Sequence, residues 1–356
     1  MANNVLLLGF QDLASVMGDR ITQVGVQRVM RAVEQAVAEY NRQADALLAL
    51  LARRVTDAKR NYLLPGSGTL QPLNEQGIPV PVQEGGSYDV AWPIAGGGTA
   101  FGQNRITRRL MTVEEVQRHV LESQRRDADW LIRHALAAIF DNAAYTFTDK
   151  LLGALTVQPL ANGDSVTYLR RGGAISADSH FLAKASIDAA LMSDIHSELI
   201  EHPGNGDTTV VFAPTASLST ITGLTGFVEL DDPAIALGAN SDRVRGVADR
   251  LLGPGTRVVG KMRGGAWIVE WPRVPDNYLI GVAIDAGDPP LAMREYPDPA
   301  LQGLFSEQIS PDGVGLQINF IRYAGFGALN RVAAVAVRTN NAAYAIPAGF
   351  DAPLAV

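Results

Sequence analysis

The sequence predicts an α+β fold. Three observations lead to it. Two long amphipathic helical patterns stand in the first 142 residues. A stretch dense in Gly and Pro, residues 61 to 104, separates them. From about residue 150 onward, strand and helix patterns alternate.

In the first helical pattern Val26, Met30, Val33, Val37, Tyr40, Ala44, Leu47 and Leu51 step by four and three in alternation. That spacing keeps one apolar seam on one helix face, as in a coiled coil. Asp19 is placed to cap its start. The pattern predicts a helix over residues 20 to 60, about 50–60 Å long at 1.5 Å per residue. Such a helix either packs on its own domain or serves as an arm on a neighbouring subunit, and its length favours the arm.

Residues 61 to 104 hold Pro65, Gly66, Gly68, Pro72, Gly77, Pro79, Pro81, Gly85, Gly86, Pro93 and the triplet Gly96-Gly97-Gly98. This density of breakers excludes helix. Tyr88-Asp89-Val90-Ala91-Trp92 alternates as a strand does, and proline suits edge strands and extended arms. The segment reads as a two-stranded extension projecting from the body. It carries Glu75, Glu84 and Asp89, with no Lys or Arg until Arg105. From Arg105 to Arg133 the balance reverses, with seven arginines against five acids.

The second helix is predicted over residues 112 to 142. Thr112 and Glu115 form the T-x-x-E capping box. Val113, Val116, Val120, Leu131, Ala135 and Ile139 keep one face. Arg108, Arg109, Arg118, Arg125, Arg126 and Arg133 decorate the helix and its approach. Beyond it, VTYLRRG reads as a strand closing on a turn, residues 179 to 201 as an amphipathic helix, and TTVVFAP as a buried strand. SDRVRGVADRLL reads as a helix; TRVVGKM, AWIVEW and NYLIGVAI read as three strands.

Composition narrows the function classes. The chain of 356 residues is 47% hydrophobic and 19% charged, enough for a large core and poor in surface charge. Low surface charge suits a molecule that meets other protein. A net charge of −7 argues against a dedicated nucleic-acid binder. Without cysteine, disulfides, thiolate nucleophiles and Cys-ligated metals are excluded. The apolar patch from Val5 to Phe10 lacks a basic flank and is too short for a signal peptide. No run reaches the roughly 18 apolar residues of a membrane span, so a soluble protein made in the cytoplasm is expected. Arginines number 26 against four lysines, which suits either a GC-rich genome or surfaces built on bidentate ion pairs.

Catalytic and binding motifs fail on inspection. GTRVVGKM nearly matches a phosphate loop, but Met262 replaces the hydroxyl and the flanks read as strands, not helix. In HSELIEH, His196 and His202 are six apart and face different sides of a helix, so a solvated helix end is expected. Glu115, His119 and Glu122 share a face but read as an exposed polar stripe. Asp178-Ser179-His180 holds the letters of a triad, yet consecutive residues cannot act as nucleophile, base and orienter. Catalytic residues, cofactor and metal are therefore all expected to be absent.

The order of elements resembles the major capsid proteins of tailed bacteriophages with the Hong Kong 97-type fold. The residues that carry the resemblance best run from NYLIGVAIDAGDPPLAMREYPDP to INFIRYAGFGALNRVAAVAVRTNNAAY. The resemblance implies an N-terminal helical arm (1–60), an extended β-hairpin E-loop (61–111), a P-domain with a long spine helix (112–175), a mixed α/β A-domain (176–300), a long P-domain strand (301–330) and a last strand with tail returning to the A-domain (331–356). It implies a structural protein: a homo-oligomer of hexamers and pentamers that encloses phage double-stranded DNA without sequence-specific binding. Scaffolding, portal and decoration proteins would be its partners, the virion capsid its location, assembled in the host bacterial cytoplasm.

On this resemblance, Glu75, Glu84 and Asp89 are expected to face Arg108, Arg109, Arg118, Arg125 and Arg126 of a neighbouring subunit. The seam Val26, Met30, Val33, Val37, Tyr40, Leu47 and Leu51 would supply the apolar half of that contact. Gly325 and Gly327 would allow a bend between domains. Some family members join subunits through an E-loop lysine; no lysine stands between Asn61 and Met111, so no such cross-link is expected. An encapsulin-type bacterial compartment is the alternative within the fold. A hydrolase using the 178–202 polar cluster is the alternative of another class.

Overall fold

The computed structural model describes residues 6–65, 72–79, 85–103, 105–230, 256–309 and 316–354. A 3-10 segment, Leu8–Val16, opens it. Then come α1 (Ile21–Val24), α2 (Val26–Leu48), β1 (Ala52–Val55), β2 (Lys59–Leu63), β3 (Ser87–Ala91) and β4 (Ala95–Gln103). They lead to α3 (Arg105–Leu110), α4 (Val113–Phe140), β5 (Tyr145–Asp149), β6 (Gly153–Val157), β7 (Thr167–Leu169), β8 (Ile175–Ala177) and β9 (Phe181–Lys184). The remainder holds α5 (Ala189–Ile200), β10 (Thr209–Ala213), α6 (Thr215–Thr222), β11 (Phe227–Glu229), β12 (Arg257–Met262), β13 (Trp267–Glu270) and β14 (Tyr278–Ala283), then β15 (Leu291–Arg294), β16 (Leu304–Ile309), β17 (Leu316–Ala328) and β18 (Ala334–Thr339).

The long helix α4 forms where its capping box predicts. Thr112 Oγ1 accepts the Glu115 amide at 3.3 Å and the Glu115 carboxylate accepts the Thr112 amide at 2.9 Å. At 28 residues it spans about 42 Å. The first helix is shorter than its seam predicts. It ends at Leu48, and the next residues enter β1, which pairs in parallel with β15. The apolar phase carries on to Leu51, which is fully buried, but the backbone there has turned to serve a sheet.

The seam also lies elsewhere than an arm on a neighbour would place it. Met30, Val33 and Val37 are buried against Val113, Val116 and Val120 of α4 and Ile318 and Phe320 of β17, all in the same chain. Val26 and Tyr40 are partly buried at the margin of that cluster. Each fully buried aliphatic side chain is worth about 1.5–3 kcal/mol against exposure, so this face is occupied.

The first sheet has the order β1-β15-β17-β16, with β4 also paired to β17. The second has seven strands in the order β11-β12-β13-β10-β14-β18-β9. β10, β13, β14 and β18 are buried almost throughout, which explains their continuous apolar runs. The near-match to a phosphate loop falls in β12, a strand, as its flanks predict. The pattern over residues 179 to 201 splits into β9 and α5, Asp188 capping the helix by accepting the Leu191 amide at 2.7 Å. The helix predicted over 241 to 252 lies outside the described residues.

Among the described residues of the predicted projection, a two-stranded antiparallel ladder is present. β2 and β3 pair antiparallel from Lys59↔Ala91 to Leu63↔Ser87. The glycine triplet, by contrast, belongs to β4 and pairs with β17 inside the first sheet. Its glycines admit close neighbours: a Cβ on Gly97 would lie 3.0 Å from the Trp130 ring, and one on Gly98 3.1 Å from the Phe320 carbonyl oxygen.

Gly325 and Gly327 do not form a bend. β17 runs through both and pairs Gly325 with Arg294 and Gly327 with Ala292. Glycine is needed there because other backbone comes close. A Cβ on Gly325 would stand 2.1 Å from the Pro93 carbonyl oxygen, and one on Gly327 2.9 Å from Trp92 Cδ1.

Candidate functional site

Arg322 occupies the centre of the fold at 2% exposure. β17 delivers it to the buried face of α4, where Nε and Nη2 donate to the two oxygens of Asp127 at 2.7 and 2.8 Å. The remaining donors reach Glu295 Oε1 at 3.3 Å and Asn41 Oδ1 at 3.2 Å. Glu295 is fully buried and also takes Arg54 of β1 at 2.8 Å. Tyr40 Oη donates to Asp127 Oδ2 at 2.8 Å. Burial works against the Arg322 charge, but Asp127 and Glu295 outweigh it and hold the guanidinium above its ordinary value. Two cations and two anions thus lock α2, α4, β1 and β17 together, a bidentate geometry that lysine could not supply.

Around this frame the residues expected at a subunit contact divide. Glu75 is exposed in a turn whose Asn74 Oδ1 accepts the amides of Gln76 and Ile78 at 3.0 and 2.8 Å. Glu84 lies outside the described residues. Asp89 is held within its own hairpin: Asn61 Nδ2 donates to it at 2.8 Å and Lys59 Nζ at 3.3 Å. These partners, Asn61 first, lower its pKa. Arg108 falls in α3, and Arg109 is exposed at the same helix's end. Arg118 and Arg125 are exposed on α4 and have no ion pair among the described residues. Arg126 is engaged, with Glu122 at 3.1 Å and Thr99 Oγ1 at 3.3 Å.

Sequence reasoning missed a second signal, the apolar side chains left outside. Among the described residues, Leu63 and the loop residues Leu73 and Ile78 belong to the hairpin extension, at 66%, 61% and 57% exposure. Ile106 and Leu110 on α3 are 72% and 55% exposed; Leu151 and Leu152 at the β5–β6 turn are 86% and 58% exposed. Single exposed leucines are ordinary. Here seven of the eight large ones among the described residues fall in three segments, the eighth being Leu8 at 50% exposure, and such grouping suits surfaces that meet protein. The sequence gives no hint of this, since exposure depends on the sheet pairings.

The polar cluster at 178–202 is not a solvated helix end. Arg171 N donates to the Glu201 carbonyl at 2.6 Å, tucking the end of α5 under the β7–β8 turn. His180 and His202 are 0% and 1% exposed, with ring centroids 5.5 Å apart. Burial pushes the His180 imidazole down to about 3. Burial, then Asp178, pushes Glu198 up to about 8. His196 turns away and meets Thr209 Oγ1 at 2.7 Å. Among the described residues no hydroxyl is hydrogen-bonded to His180 or His202. The Glu115–His119–Glu122 stripe is also spent, Glu115 on the helix cap and His119 stacked on Phe101 at 4.7 Å.

No protein-family model matches the chain, and no curated protein matches it. Solved structures do. One from Mycobacterium phage Patience superposes with a TM-score of 0.65 at 21% identity, covering 94% of each chain. The asymmetric unit of the bacteriophage PhiM1 mature capsid superposes with a TM-score of 0.50 at 10% identity, covering 81% of this chain and 85% of that one. The spine helix, the hairpin, the long strand and the seven-stranded sheet together give this chain the Hong Kong 97-type fold.

Proposed function

We propose that the chain is a major capsid protein, a tile that self-assembles into an icosahedral shell around phage double-stranded DNA. The observation that carries this reading is likeness over 94% of both chains to a phage structure, with no large part of either left over. The exposed apolar segments support it, because they are costly on a free monomer and are buried when tiles meet. Many such contacts, each weak, become strong when symmetry closes them.

In this reading the β2–β3 hairpin lies across a neighbour. Glu75 meets Arg109, Arg118 and Arg125; Glu84 and the Arg108 side chain, expected at the same contact, lie outside the described residues. Asp89 and Arg126 contribute less, since each already has a partner in its own chain. Rim charges of this kind set register more than affinity. Hexamers and pentamers form the shell, DNA is held by enclosure, and scaffolding, portal and decoration proteins join it during assembly in the bacterial host.

Negative-stain microscopy of the purified chain tests the proposal. Closed shells are the expected outcome; monomers that stay monomeric at every concentration and salt would overturn it. Shells purified from infected or induced cells separate the two compartment types by content: DNA for a phage capsid, a cargo enzyme for an encapsulin.

A further inference from the structure

The cluster between α5 and the β8–β9 loop brings two imidazoles and three carboxyl groups together around one arginine, Arg170, with Glu198 sharing a hydrogen bond with Asp178. Asn162 fixes the chemistry of His180. Its Nδ2 donates to Asp164 Oδ1 at 3.1 Å and to the Asp178 carbonyl at 3.2 Å, so its Oδ1 must face the imidazole. His180 Nδ1 lies 2.6 Å from that oxygen and therefore carries the proton. His180 Nε2 is left as a bare lone pair, buried and without a partner. His202 repeats the arrangement. Its Nδ1 lies 3.2 Å from the Leu169 carbonyl, which can only accept, so in the neutral ring its Nε2 presents a lone pair.

Both lone pairs converge on a carboxylate. His202 Nε2 stands 3.1 Å from Asp178 Oδ2, and the donor atoms of Asp178, His180 and His202 all lie within 4.8 Å of one another. Asp178 Oδ1 is already used by the Ser179 amide at 2.8 Å and by Arg170 at 3.2 Å, which turns Oδ2 inward. Three acceptors facing one another in a dry site repel unless a proton or a cation stands between them, and the convergence of all three on one point suits a cation.

We propose that Asp178, His180 and His202 bind a divalent transition-metal cation, zinc by preference, which ties the end of α5 to the β8–β9 loop. Zinc ligands at about 2.0–2.1 Å in a tetrahedron stand about 3.3 Å apart, close to the His202–Asp178 separation. Two imidazoles select zinc and its neighbours over magnesium or calcium, which prefer oxygen. Glu201 Oε1 lies 3.7 Å from His202 Nε2 but outside this group of three, and its other oxygen is held by Arg170 at 2.8 Å. Three protein donors hold the ion, and a solvent molecule would complete its tetrahedron. Asn162, the Leu169 carbonyl and Arg170 are the outer groups that orient the ligands, as such sites require. The proposal stands apart from the shell reading.

The test uses the full chain, stripped with a chelator and titrated with zinc chloride, with magnesium chloride as control. About one zinc per chain should survive desalting. The thermal midpoint should rise by about 3–5 °C with zinc in hundredfold excess over its dissociation constant, and not with magnesium. Zinc-edge X-ray absorption of the wild type should show two imidazole ligands. Asp178→Asn and His202→Gln should lose the ion, and Asn162→Ala, which touches no metal, should weaken it 10- to 100-fold. Absence of retained zinc, a spectrum without imidazole, or undiminished binding in folded Asp178→Asn and His202→Gln would each overturn the site. If those variants do not fold, the wild-type spectrum alone decides.

Discussion

The two buried polar clusters of this chain are built from similar residue types and balance charge differently. Around Arg322, two arginines meet two carboxylates, and Asn41 and Tyr40 take up what remains. Around His180, one arginine serves Asp178 and Glu201, and each imidazole spends its Nδ1 proton outside the cluster and turns Nε2 inward without a hydrogen bond. The first cluster is complete without help from outside. Burial of polar groups therefore does not by itself mark a functional site; an unmatched sign does.

Breaking one member of each cluster exposes the contrast. Arg322→Met leaves Asp127 and Glu295 buried without their shared cation and should cost about 3–5 kcal/mol, read by denaturant unfolding of the unassembled chain. His202→Gln in metal-free protein should cost about 1 kcal/mol, because it gives up one hydrogen bond to the Leu169 carbonyl while Asp178 keeps Arg170. Equal losses from the two would erase the distinction. Next in size is Gly325→Ala, which places a methyl against the Pro93 carbonyl and should destabilise by about 1–3 kcal/mol; Gly327→Ala should cost less, since its Cβ would meet Trp92 Cδ1 at 2.9 Å where that of Gly325 would meet backbone oxygen at 2.1 Å.

A lone buried acid gives a third grade of the same contrast. Asp141, at the C-terminal end of α4, is pushed up to about 6 by burial. Its folded pKa exceeds the unfolded one, so the native state holds the proton more tightly. Stability should fall as pH rises from about 4 through 6 and then level off. Asp141→Asn should remove that slope and stabilise the chain by about 1–2 kcal/mol at pH 8, as thermal melts across pH would show. The smallest effect on the fold belongs to the exposed apolar segments. Leu151→Ser and Ile106→Ser should change monomer stability by less than about 0.5 kcal/mol and yet reduce shell yield in a sedimentation assay. Unchanged shell yield in both variants would count against their role as contacts.

Some of this was readable in the chain itself. The capping box Thr112–Glu115 and the periodic run behind it placed α4 to within a residue or two, because both signals are local. The buried strands β10, β13 and β14 were readable for the same reason. The end of α2 was not. Its seam stays in phase to Leu51, and only β15, some 240 residues further on, draws Ala52 into a sheet. The glycines of β4 and β17 read as breakers and a bend because their true cause, a close neighbour, lies far away in sequence. The His180–His202 pair was hidden twice over. Helical periodicity put His202 in solvent, and the tautomers that matter are set by Asn162 and Leu169, which no spacing rule connects to either histidine.

The register of β4 on β17 has a mechanical meaning. Nine successive residue pairs, from Leu316↔Gln103 to Ala324↔Ala95, join the strand behind the hairpin to the strand that carries Arg322. A pull along the strand axis loads those pairs in shear, so they must yield together. A pull across it would open them one after another. A wall under internal pressure stretches along its own plane, and tiles whose long ladders lie in that plane would meet the tension in their stronger direction.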